Sequence, residues 1–210
     1  MHTSKFRVKL KLKLKTRKKI HQLYQHKSGY MNNLDKYKDH HVTYGEVTQE
    51  GIEKLIDAYN KQPITSYDKT RRTFYDLGSG IGKNVIVVAS LVPEIKSKGI
   101  EIVQERHDMA IHSHKQLKPV SLRNRIHFMC CSFMDVNLDD AAWIYLSNLC
   151  FSEQLNEQIS EKIHKEVGIN TMIACSKELN LPKKDYSVER LNIPMTWDNK
   201  SMTYLYKKLV

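Results

Sequence analysis

The sequence predicts an α/β fold: a mostly parallel, seven-stranded sheet with helices on both faces, a C-terminal antiparallel hairpin and a basic N-terminal extension. Three observations carry this. Short apolar runs recur at 74–77, 100–103, 126–131, 143–146 and 172–175, the lengths of buried strands. Helix-like segments at about 83–92, 104–117 and 153–166 lie between them, and strands buried on both sides and separated by helices specify a parallel sheet. The tail changes character, with strand-like runs at 186–197 and 202–206 joined through the turn dipeptide Asp198-Asn199.

Taken from the N-terminus, residues 5–15 alternate lysine or arginine with Phe6, Val8, Leu10, Leu12 and Leu14, a period-two pattern if the segment is ever a strand. Residues 16–43 are polar with scattered aromatics, a linker with short helical pieces. Thr48 is placed to cap a helix whose Ile52, Leu55, Ile56 and Tyr59 share one face, and Pro63 closes it. In the last helical segment Leu155, Ile159, Ile163 and Val167 do the same.

Of the net charge of +11 over 210 residues, ten positive charges and no acid fall in residues 1–30, leaving +1 for residues 31–210. The division expected is a lysine-rich arm, 1–30, on a nearly neutral domain, 31–210. A dense lysine run attracts phosphate backbones irrespective of sequence, which nominates Lys5, Arg7, Lys9, Lys11, Lys13, Lys15, Arg17, Lys18 and Lys19 as nucleic-acid contacts. No apolar run approaches the roughly 18 residues of a membrane helix, and lysines interrupt any signal-peptide core. Cys130, Cys131, Cys150 and Cys175 lack metal-ligand spacing and read as reduced thiols, so no metal site is expected.

The first strand runs into Asp76-Leu77-Gly78-Ser79-Gly80-Ile81-Gly82 and a helix follows. Glycines at the carboxyl edge of an α/β sheet let backbone approach a ligand. The G-x-G-x-G spacing differs from dinucleotide and phosphate loops, which favours a ligand without phosphates. A second strand carries Glu101, about 20 residues on, where a carboxylate can accept both hydroxyls of a ribose. Together these residues resemble the binding site of class I S-adenosylmethionine-dependent methyltransferases.

Further motifs narrow the resemblance: Tyr44-Gly45-Glu46-Val47-Thr48, Cys131-Ser132-Phe133-Met134, Ser147-Asn148-Leu149-Cys150-Phe151, Ser176-Lys177, Trp197 and Thr203-Tyr204. In this order, over about 42–206, they resemble the non-SET histone lysine methyltransferases, the disruptor-of-telomeric-silencing family. The resemblance implies that Tyr44, Gly45, Glu46 and Val47 close over the methionine end of S-adenosyl-L-methionine. It implies that Phe74, Asp76, Gly78, Ser79, Gly80, Gly82 and Lys83 surround the cofactor, that Glu101 holds the ribose, and that Ser132 and Phe133 lie at the adenine. Asn148 would sit beside the transferring methyl, and Phe151, Trp197 and Tyr204 would wall a lysine channel. Ser132 stands where the family usually has Asp, Val47 replaces a hydroxyl residue, Lys83 an amide, and Ser147 the first of an Asn pair.

The implied function is methyl transfer to a lysine on the disc face of nucleosomal histone H3 by a nuclear, monomeric enzyme tethered to DNA by its arm; for a viral source the place would be the host nucleus or virion. Two alternatives stay open on the residues: an enzyme of the same fold acting on RNA or a non-histone protein, and a non-catalytic nucleic-acid-binding module.

Overall fold

The structure is a computed structural model, and residues 15–32, 34–38, 40, 42–61 and 72–210 are described. The alternating segment 5–15 therefore lies outside the described residues except for Lys15. Seven strands form one sheet in the order β3-β2-β1-β4-β5-β7-β6. They are β1 (Thr73–Leu77), β2 (Lys96–Glu101), β3 (Ile126–Cys130), β4 (Ala141–Leu146), β5 (Met172–Cys175), β6 (Tyr186–Ile193) and β7 (Ser201–Lys208). β1 to β5 pair in parallel, and β7 runs antiparallel to both of its neighbours.

Successive residues of a strand face opposite sides of a sheet, and here the two faces carry two separate cores. Phe74, Trp143 and Tyr145 face the layer that includes α2 (Gln49–Lys61) and α3 (Lys83–Leu91). Tyr75, Leu77 and Ile144 face α6 (Glu153–Glu166), which contributes Ile159 and Ile163. Thr48 caps α2 as its position suggests, its Oγ1 accepting from Gly51 N at 3.1 Å.

Three boundaries differ from the expected ones. β2 starts at Lys96 and ends at Glu101, several residues earlier than the apolar run, because its polar start is satisfied: Lys98 Nζ donates to Tyr75 Oη at 2.7 Å and Asp140 Oδ2 at 3.0 Å. β6 stops at Ile193, since Pro194 has no N–H for the ladder, and Met195 instead forms a bridge with Val47. α4 (Gln104–Lys115) is followed by a short α5 (Val120–Arg123) that no periodicity announces.

Residues 15–24 form helix α1, a short helical piece of the kind expected in 16–43, but one packed on the domain. Ile20 and Tyr24 are buried in the α2/α3 core. Arg17 donates to Glu53 Oε1 through Nε at 2.7 Å and to Oε2 through Nη2, and Tyr24 Oη donates to Ile81 O at 3.2 Å. The part of the lysine-rich stretch that is described thus packs on the domain, and Arg17 is held in an ion pair.

Candidate cofactor site

The glycine loop leaves β1 at the carboxyl edge of the sheet and is pinned to β2: Gly78 N and Ser79 N both donate to Ile100 O at 2.8 Å. Gly80 has φ +53°, and a Cβ there would stand 2.8 Å from the Tyr44 ring, so neither backbone nor space accepts a side chain. Glu101 Oε2 accepts from Gly80 N at 2.7 Å and Oε1 from Val103 N at 2.8 Å. One buried carboxylate therefore fixes the loop against the start of α4 while each oxygen keeps a further lone pair.

A cavity of about 430 Å³ opens between this loop, segment 42–47, residues 132–134 and the start of α6. Of the cofactor-site residues expected from sequence, Tyr44, Gly45, Glu46, Val47, Asp76, Gly78, Ser79, Gly80, Lys83, Glu101, Ser132 and Phe133 line it, as does Phe151. Ser132 caps the single 3-10 turn Phe133–Asp135 by accepting from Met134 N at 3.2 Å, and the Phe133 ring stacks on Phe151 with centroids 5.7 Å apart.

Segment 42–47 is positioned from two sides. On one, Thr196 N donates to Glu46 O at 2.9 Å, Glu46 N donates to Thr196 Oγ1 at 3.1 Å, and Trp197 lies on Gly45 so closely that a Cβ there would overlap its ring. On the other, buried Arg106 donates to Gly29 O at 2.9 Å and Val42 O at 2.8 Å, with its guanidinium 4.9 Å from the Tyr44 ring centre. Sequence reasoning missed Arg106; among the many polar residues of α4, nothing marks it as the buried one. The Glu46 carboxylate accepts from Tyr44 Oη and from Lys83 Nζ, the latter at 3.2 Å.

Five expected residues do not line the cavity. Phe74 is fully buried against Trp143, ring centroids 4.5 Å apart, and Gly82 caps α3 where a Cβ would strike Phe128. Asn148 is completely buried, with Nδ2 donating to Asn156 Oδ1 at 2.6 Å and Lys177 O at 3.0 Å, and Oδ1 accepting from Lys177 N at 2.8 Å. Its amide thus joins the end of β4 to α6 and to the strand-end loop after β5. Tyr204 stacks on Tyr206 and carries Arg190 at 5.4 Å over its ring. Trp197 stays 42% exposed, covering Gly45 from outside.

The cavity's polar atoms test whether the cofactor's chemistry fits. Asp76 Oδ2 and Ser79 Oγ are buried and have no hydrogen-bond partner, a costly arrangement unless a ligand supplies donors. Burial pushes the Asp76 carboxyl well above its usual range, against a hydrogen bond with Asn84, and the charges of Glu101 and Glu46 push the same way. An ammonium is the complement such a group lacks, and Asp76, Glu101 and the Phe133 ring line one cavity, as a nucleoside with an amino-acid end would require. The volume suits a ligand of that size, small-molecule sites running from about 300 to 1,000 Å³. Among the described residues no group of His, Cys, Asp and Glu could hold a metal, and no helix is long and apolar enough to cross a membrane.

The raised Asp76 carboxyl has a pH consequence. Pairing with an ammonium requires the ionised form, so cofactor affinity rises with pH from the ordinary carboxylate range up to the raised value and is level above it. The ligand-free protein, which favours neutral Asp76, loses stability across the same window. Titration calorimetry against pH should show the rise in wild type and not in Asp76→Asn, and parallel curves would contradict it.

Comparison with known proteins decides the family. The family described as "Histone methylation protein DOT1" matches residues 24–208. The chain belongs to the DOT1 family. A histone-lysine N-methyltransferase of Caenorhabditis elegans, H3 lysine-79 specific, is 28% identical over 153 residues, 68% of this chain; this DOT1-family chain spans 15% of that protein's length. The fold recurs in an RNA methyltransferase from Salinibacter ruber in complex with S-adenosyl-L-homocysteine, with a TM-score of 0.53, 16% identity and coverage of 75% of this chain and 89% of that one. It recurs too in a glycopeptide N-methyltransferase, with a TM-score of 0.57, 9% identity and coverage of 76% and 90%. A putative methylase from Haemophilus influenzae gives 0.54, 14%, 76% and 88%. The DOT1 chain therefore carries the class I, S-adenosylmethionine-dependent methyltransferase fold.

Proposed function

We propose that this DOT1 chain is a histone-lysine N-methyltransferase that takes its methyl group from S-adenosyl-L-methionine and modifies a lysine on the disc face of histone H3 in nucleosomes. The observation that carries the reading is the cavity in which Glu101, fixed by Gly80 and Val103, and Asp76, whose Oδ2 has no partner, present carboxylates to a nucleoside and an ammonium. Family membership supplies the histone. The enzyme acts in the nucleus as a monomer, and the lysines of 5–19 with Arg7, but not the paired Arg17, approach nucleosomal DNA.

Bound at this site, the cofactor supplies an electrophilic methyl on a sulfonium. The chain's own contribution is positioning and desolvation. The Phe151 ring, at the cavity wall, excludes water from an approaching amine. A lysine entering there is disfavoured as an ammonium, which lowers its pKa from about 10.4 toward the neutral, attacking form. Trp197 and Tyr204 guide the lysine outside the cavity, Trp197 while holding Gly45 in place.

Methyl-labelled cofactor should deliver label to histone H3 in recombinant nucleosomes and little to free H3 or RNA. Label on RNA, or on free H3 at an equal rate, would overturn the nucleosome reading.

A further inference from the structure

At the opposite end of the sheet from the cofactor cavity lies a groove of about 720 Å³. It runs between α1, the end of α3 and the segment 116–125, beside the start of β3. Its floor is apolar, with Ile20, Leu23, Leu117 and Leu122. Its lining is cationic: Lys15 and Lys19 come from α1, and Lys118 and Arg125 from the 116–125 segment. No carboxylate is among the lining residues, and among the described residues none of the three lysines has an ion-pair partner. Two cations of the lysine-rich segment and two of the nearly neutral domain 31–210 thus meet around one concavity.

We propose that this groove is a docking site for the phosphate backbone of duplex DNA, made jointly by α1 and the 116–125 segment. The proposal rests on the nucleosome reading above and adds the part of the domain that meets DNA. Three facts favour it. The lysines of α1 are presented by a fixed element, since Ile20 and Tyr24 are buried and Lys27 Nζ donates to Ser113 Oγ at 2.8 Å below the helix. Lys5 to Lys13 lead directly into the groove in sequence, so arm and groove carry one continuous charge. No carboxylate lines the groove to repel a phosphate.

The residues divide into different tasks. Lys15, Lys19 and Lys118 are exposed and contact phosphate. Arg125 donates to Ala89 O, Val92 O and Ile95 O at 2.6, 3.2 and 2.9 Å, so it closes the end of α3 and supplies field only. Arg17, bound to Glu53, turns away from DNA and holds α1.

The test uses the full chain and a labelled blunt duplex, with anisotropy followed across salt concentrations. Each phosphate contact contributes about 0.9 to the slope of log affinity on log salt, which is about fivefold in affinity near 0.15 M salt. Lys118→Ala and Lys19→Ala should each weaken binding about fivefold and lower the slope by about one, and Lys118→Glu should weaken it further. Cofactor affinity, read by calorimetry, should stay unchanged in all three, because the two sites lie at opposite strand ends. Unchanged DNA affinity and slope in both Lys118→Glu and Lys19→Ala overturns the groove, as does a stronger effect of these variants on binding to phosphatidylserine vesicles or single-stranded RNA than on duplex. The outcomes separate the two readings. Methyl transfer to nucleosomes with no effect of Lys118 on DNA affinity removes the groove alone. Weakened DNA binding in a chain without histone activity keeps the groove and removes the histone reading.

Discussion

Glu101→Ala should lower affinity for S-adenosyl-L-methionine by about 100-fold or more. The carboxylate accepts the backbone N–H groups of Gly80 and Val103 and lines the cavity, where the proposed function has it also accept the ribose hydroxyls. Hydrogen bonds to a charged group contribute about 1.5–3 kcal/mol each, so losing two to a ribose costs about 3 kcal/mol or more, and tenfold in affinity is about 1.4 kcal/mol. The two abandoned N–H groups add to the loss by loosening the loop that Gly80 shapes. Glu101→Gln is instructive beside it. Its amide keeps one acceptor but turns an NH2 toward one of two N–H donors, so it should fall between wild type and Ala. Calorimetry reads both, and an affinity within threefold of wild type for Glu101→Ala would remove this residue from the site.

Asn148→Ala should destabilise the fold by about 2–4 kcal/mol, a loss usual for a buried, fully bonded amide. Three hydrogen bonds disappear at once, and Asn156, itself donating to Glu178 O at 2.8 Å, is left with an unpaired oxygen. Asn156→Ala should cost a similar amount, and the double variant less than the sum, because the two amides share one bond. Urea unfolding measures all three. Unchanged stability together with loss of methyl transfer would instead place the Asn148 amide at the reacting methyl, as the family resemblance alone implies.

Much of this site is legible in the linear chain because its determinants are local. The turn after β1 needs positive φ at Gly80, and a strand that ends on Glu101 one βα unit later must bring that acid to the same sheet edge. The alternation of faces in the fully buried β1 is equally local, Phe74 serving one core and Tyr75 the other. What escaped depends on partners distant in sequence. Lys98 extends β2 because Asp140 and Tyr75 receive it, and Arg106 is buried because Gly29 and Val42 offer carbonyls. Helix α1 is hidden inside a lysine run; only Ile20 and Tyr24, four residues apart, mark its inward face, and Glu53 must be found in space to neutralise Arg17. Asn148 is a motif position whose burial was not legible: its side chain is engaged by Asn156 and Lys177, both distant in the chain or on another element.

The most direct test of the account is to incubate the chain with S-adenosyl-L-methionine and recombinant nucleosomes and to map modified residues by tandem mass spectrometry, with Gly80→Arg as the control that fills the cavity against Tyr44. The account predicts methylation of a lysine on the disc face of histone H3 by wild type and none by Gly80→Arg. Histone H3 left unmodified by a wild-type chain that binds the cofactor, or modified equally by the variant, would contradict it.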